Sequence, residues 1–219
     1  DVALRQHLAP NRVLQRQKPR ARKVLVVGLD CGFDVGQRQR AVGRVRQWLR
    51  LRLHAWLRGR AFDLNQVTPH YLGQLDVPLC PVLRTPLVGA EASIDRVCDQ
   101  AGYAAGNLAM MSLQANRAKA ALGWEAALAN AKAALAEPDG RHGGLDAAAW
   151  SRVAVLASFV TPLAHAQAAC LPLLLQPPNR LRLLNPVQGL QALVTRELAG
   201  RDGMLRLRSL AALLPREAL

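Results

Sequence analysis

Aromatic residues make up only 4% of this 219-residue chain, too few to build a core on large rings. The β-branched and aromatic side chains that favour sheets are sparse as well. No run of 18 or more apolar residues occurs, so no membrane insertion by a transmembrane helix is expected. The cysteines, at 31, 80, 98 and 170, show no CxxC or ligand-like spacing. They read as free, mostly buried thiols rather than a disulfide framework. A G-x-S-x-G elbow, an HExxH helix and a Cys-His pairing are all missing, and neither a cofactor nor a metal site is expected.

Acid is the other scarcity. Against 29 Lys and Arg the chain has 15 Asp and Glu, a formal net charge of +14. Residues 1–60 hold 15 basic side chains and only Asp1, Asp30 and Asp34 as acids. The remaining residues are nearly balanced. An excess concentrated in one quarter of a chain is the pattern of a surface built for an anionic partner.

What the chain does have is alanine and leucine, both strong helix formers. Half of it is apolar, enough for a real core at this length. The expected fold is mainly α: a multi-helix, bundle-like body with one or two short β-strands near the N-terminal third. Residues 1–23 read as a basic arm. Residues 24–89 read as a short strand, an Arg-rich helix and a Pro-rich connector. Residues 90–219 read as a helical body, with a sub-boundary expected near 138–145.

Within this frame Val24–Val27 is the best strand, ended by Gly28. From about 35 to 58, Val42, Val45, Leu49, Leu53 and Trp56 recur at helical spacing as one apolar face. Arg46, Arg50 and Arg52 flank that stripe, and Trp48 sits at its margin, where burial under the Pro-rich segment is the expected fate. Four prolines between 69 and 86 preclude a long helix, leaving 77–84 as a crossover or edge strand. A long helix is expected from about 91 to 122, with Ile94, Val97, Cys98, Ala101, Ala105 and Leu108 inward. The pattern resumes at Trp124 and ends in the loop Pro138-Asp139-Gly140. Asp146 is expected to cap 147–159, Thr161-Pro162 to open a helix running to Leu175, and Asn185-Pro186 to open another stopped by Gly200. In that last helix Val187, Leu190, Val194 and Leu198 read as inward. A short terminal helix is expected over 203–214.

The charged residues suggest a function. Arg12, Arg16, Lys18, Arg20, Arg22 and Lys23 in the arm, with Arg40, Arg44, Arg50, Arg58 and Arg60 on and after the basic helix, form a set suited to phosphates. The planar guanidinium fork pairs bidentately with phosphate oxygens, and each contact releases counterions. The competing reading is internal neutralisation, for which Glu91, Asp95 and Asp99, four apart on the expected helix, are the natural partners. The glycine loop around His142 is either an anion cradle or a plain loop tip.

The run Val26-Val27-Gly28-Leu29-Asp30-Cys31-Gly32 resembles the first strand of RNase H-like nucleases and resolvases. That resemblance implies a metal-dependent nuclease in which Asp30 helps hold magnesium; it spans seven residues, and no matching downstream carboxylates are identifiable. The function expected from the charge pattern is non-enzymatic. It is an accessory or structural subunit of a nucleoprotein assembly, holding RNA or DNA backbone and meeting other protein subunits. The alternative is a protein–protein assembly subunit whose helical body binds a partner and whose basic region meets an acidic surface. An intracellular setting (cytoplasm, nucleoid or organellar matrix) is expected. The start at Asp1 and the Arg-rich, acid-poor beginning suit either a trimmed transit segment or a nucleic-acid arm.

Overall fold

A computed structural model describes residues 38–88 and 91–213, with side chains from residue 43 onward. The expected strand at 24–28, the basic arm and Asp30 lie outside the described residues. Within them the protein is mainly α: eight α-helices and two small antiparallel strand pairs.

Helix α1 (Arg38–Leu57) opens the described chain. It packs against α2 (Pro69–Gln74), whose N-cap Thr68 accepts a hydrogen bond from the Tyr71 backbone N–H. The packed face of α1 carries Trp48, Leu51 and Ala55, which join Val67, Leu72 and Leu75 in one apolar cluster. The Trp48 indole N–H donates to the Val67 carbonyl, and its ring meets Phe62 edge-on, centroids 6.2 Å apart. Trp48 thus lies half-buried under the Pro-rich segment, its indole N–H satisfied as its chemistry requires. The apolar stripe lies partly outside that cluster: Val45 is 39% exposed, and Leu49 and Leu53 line an open cleft. Helical periodicity finds a stripe but leaves open whether a core or a cavity faces it.

Residues 77–87 form an irregular loop closed by a bridge between Leu79 and Pro86 rather than a regular strand. The largest correction follows it. Residues 91–122 are not one helix but β1 (Ala92–Arg96), β2 (Leu108–Ser112) and helix α3 (Leu113–Lys119). The strands pair antiparallel, Ile94 opposite Met110 and Arg96 opposite Leu108. Gly102 and Gly106 are turn glycines at φ +68° and +88°. A Cβ on Gly102 would stand 2.8 Å from the Ala61 carbonyl oxygen. Asn107 fixes the connection: its Oδ1 accepts from the Cys98 N–H, and its Nδ2 donates to the Cys98 and Gly102 carbonyls, all within 2.9 Å. Each glycine disfavours a helix interior by about 1 kcal/mol. The sheet instead lets β2 bury all five of its residues. Met110 and Met111 are core residues, but on a strand.

Ser112 N-caps α3, its hydroxyl accepting from the Ala115 N–H. Helix α4 (Trp124–Ala136) and helix α5 (Ala147–Phe159) lie against each other. Their small buried residues, Ala127, Ala131 and Ala134 on one and Ala149, Ala154 and Ala157 on the other, permit close approach. Between them β3 (Arg141–His142) and β4 (Leu145–Asp146) form a tiny hairpin. Asp146 caps α5, as expected, by accepting from the Ala149 N–H at 2.7 Å.

Thr161-Pro162 opens no helix. Helix α6 is only His165–Cys170, and Thr161 Oγ1 instead donates back to the Ala157 carbonyl. Helix α7 (Pro186–Leu198) begins at the expected proline and ends just before Ala199. The Asn185 side chain does not cap it. It accepts from the Leu163 N–H and donates to the carbonyls of Ser158 and Thr161 and to Gln188. Gln188 and Ala192 are the buried residues of α7, whereas Leu190 and Leu198 are 61% and 55% exposed. Helix α8 (Gly203–Ala211) closes the described chain.

Candidate nucleic-acid interface

One face of α1, the β1–β2 hairpin and α3 enclose a cleft of about 1280 Å³. Six arginines line it: Arg46, Arg50 and Arg58 from α1 and its end, Arg60 just beyond, Arg96 from β1, and Arg117 from α3. Among the described residues its acids are two, Asp95 and Asp99. Between the charges runs apolar surface from Leu49, Leu53, Leu57 and Leu113.

Both acids are already engaged. Asp99 binds the Arg96 guanidinium at 2.5 Å and that of Arg60 at 3.2 Å. Arg96 in turn lies over the Tyr103 ring, 5.0 Å from its centroid. Asp95, 6% exposed, pairs with Lys119, whose side chain is wholly buried. Burial pushes the Asp95 carboxyl up to about 6, against the downward pull of Lys119. The Tyr103 hydroxyl meets His54 Nδ1 at 3.1 Å, and burial raises the tyrosine pKa above its ordinary value. Arg50, Arg58 and Arg117 are exposed and make no ion pair among the described residues.

The expected site is therefore only partly assembled here. Arg50, Arg58 and Arg60 come together in the cleft. Arg44 does not line it: it pairs with Asp76 and donates to the Gln47 side chain at the margin of the cleft. Arg40 belongs to α1, but its side chain lies outside the described residues, as do Arg12, Arg16, Lys18, Arg20, Arg22 and Lys23. No family model, curated protein or solved structure matches this chain. The reading rests on the geometry and the charge alone.

Internal neutralisation is real for some residues and takes a different form from the one expected. Glu91, Asp95 and Asp99 share no helix face; Asp99 answers Arg96 and Arg60, and Asp95 answers a lysine. Arg96 and Arg117 are the cleft residues that sequence reasoning missed. They were hidden when the hairpin and α3 were read as one helix. The run Ser112-Leu-Gln-Ala115 was the available signal, since a serine cap marks a helix start at 113.

The glycine loop around His142 is neither an anion cradle nor a bare tip. Its carbonyls turn inward as acceptors, His142 taking the Trp150 indole N–H at 2.7 Å and Gly144 taking Arg141 and Gln114. Among the thiols, Cys80 is buried, Cys98 half-buried and Cys170 exposed; all three are free. Among the described residues no cluster of three His, Cys, Asp or Glu side chains has the arrangement of a metal site.

Proposed function

We propose that this protein binds the sugar–phosphate backbone of RNA or DNA, using the arginine-lined cleft as an accessory, non-enzymatic subunit of a nucleoprotein assembly. One observation carries this reading: among the described residues the cleft's carboxylates are engaged in internal pairs, and Arg50, Arg58 and Arg117 line it with no ion pair. Guanidinium groups in that state attract phosphate strongly, and a concave wall strengthens their field. The concentration of Lys and Arg in residues 1–60 supports the same partner. Phosphate contacts position a nucleic acid without reading its sequence, so little base preference is expected.

Salt titration tests this. Each neutralised phosphate contributes roughly 0.7–0.9 to the slope of log affinity against log salt. Three or more contacts predict a slope steeper than about −2 on that scale. An affinity for polynucleotide that does not change with salt would discard the proposal.

A second reading, a protein-assembly subunit, draws on a different surface. Helices α7 and α8 leave Leu198, Met204 and Leu205 between 55% and 67% exposed. Exposed apolar side chains on neighbouring helices are consistent with a protein partner. Association there would barely respond to salt, which separates the two readings.

A further inference from the structure

Building on the polyanion reading of this cleft, we infer that its occupant is an unpaired polynucleotide strand, with bases against the leucine floor and phosphates on the arginine rims. Leu49, Leu53 and Leu57 on α1 line the cleft and take no part in the core cluster, which Trp48 and Ala55 serve from another face of the same helix, with Leu51 bordering both. Leu113, 37% exposed, lines the cleft from α3. An anion-binding surface for phosphate alone has no use for a leucine floor, since burying aliphatic area against a phosphate desolvates the anion without return.

Duplex and single strand differ in what they offer such a floor. A duplex keeps the flat faces of its bases stacked on one another and presents phosphates on a convex surface. An unpaired strand has apolar base faces to bury, at about 25 cal/mol per Å² removed from water, and phosphates one bond series away for the rims. Tyr103 is only 5% exposed, with Arg96 over its ring, so it offers no open stacking platform. Base faces would lie on leucine side chains and on the planes of Arg50 and Arg58, a mode that tolerates every base.

The test compares three fluorescent probes on the full chain: a mixed-sequence single strand of about ten nucleotides, within the usual range of site sizes, an abasic strand with the same phosphates, and the corresponding duplex. The expected result is that the base-bearing strand binds at least about tenfold tighter than either of the others. Leu53→Ser and, separately, Leu57→Ser should weaken that strand several-fold and leave the abasic strand unchanged. Equal affinity for the normal and abasic strands, or tighter binding of the duplex, overturns this inference while salt-dependent binding preserves the parent reading. Absence of salt-dependent binding to any probe overturns both.

Discussion

Lys119 and Asp95 form an ion pair at 2.9 Å in which the lysine side chain is fully buried and the aspartate is 6% exposed. The ammonium also donates to the carbonyls of Arg96 and Ala120, so a single side chain binds the end of α3 to β1. This pairing makes the hairpin and helix one unit and holds a cleft carboxylate away from the arginines. Removing one partner of such a pair strands the other charge, at a cost of about 3–5 kcal/mol. Lys119→Met should therefore destabilise the fold by about that amount, read from the midpoint of urea unfolding. A loss below about 1 kcal/mol would show that the pair contributes little.

The same pair gives stability a pH dependence of defined sign. Asp95 holds its proton to about pH 6 in the folded chain, against 3.8 for the ordinary carboxyl. Between those values the folded state binds more protons than the unfolded state, so this group lowers stability as pH rises through that window. Above it the contribution is constant. The pH profile of unfolding for Asp95→Asn should lack this falling component; identical profiles for variant and wild type would rule it out.

Arg50→Glu combined with Arg58→Glu should weaken polynucleotide binding by more than tenfold and reduce the salt slope by about 1–2. Arg44→Glu combined with Arg84→Glu is the charge-matched control, because neither arginine lines the cleft. Filter binding at several salt concentrations reads both quantities. Equal effects from the two sets of substitutions would separate binding from the cleft.

Gly102→Ala should cost about 1–3 kcal/mol, because φ of +68° strains any residue with a Cβ and the Ala61 carbonyl leaves it no room. Gly59→Ala meets no neighbour within 4 Å despite a similar φ, so it should cost less. Thermal denaturation of the two variants separates backbone strain from the added clash.

Asn107→Ala removes three hydrogen bonds that close the hairpin connection. At roughly 0.5–1.5 kcal/mol net for each bond, a loss of about 2–4 kcal/mol is expected. Hydrogen exchange should show the 97–107 amides losing protection before those of α5. Uniform loss across the chain would mean that the connection does not open on its own.

Local chemistry was legible wherever one residue decides the outcome. Asp146 before an alanine run, Pro186 at a first helical turn and the Pro138–Gly140 breaker marked their boundaries because caps and breakers act within three or four residues. The same logic failed at Thr161-Pro162, where Thr161 bonds back to Ala157 and Asn185 supplies the acceptor for Leu163. It failed again over 91–122, where alanines favour helix locally but antiparallel pairing with complete burial of β2 outweighs propensity.

The amino-acid order by itself determined the helical composition, the concentration of arginine in the first sixty residues and the presence of an apolar stripe along α1, since each is a property of composition or of spacing over a few turns. Only the tertiary structure decided which face of α1 meets the core and which arginines are matched. Arg60 is matched because Asp99, 39 positions away, is folded to within 3.2 Å of it, and separations of that length leave no trace in local periodicity. The cleft exists for the same reason: the hairpin that carries Arg96 and leads into the helix of Arg117 is set opposite α1 by long-range packing.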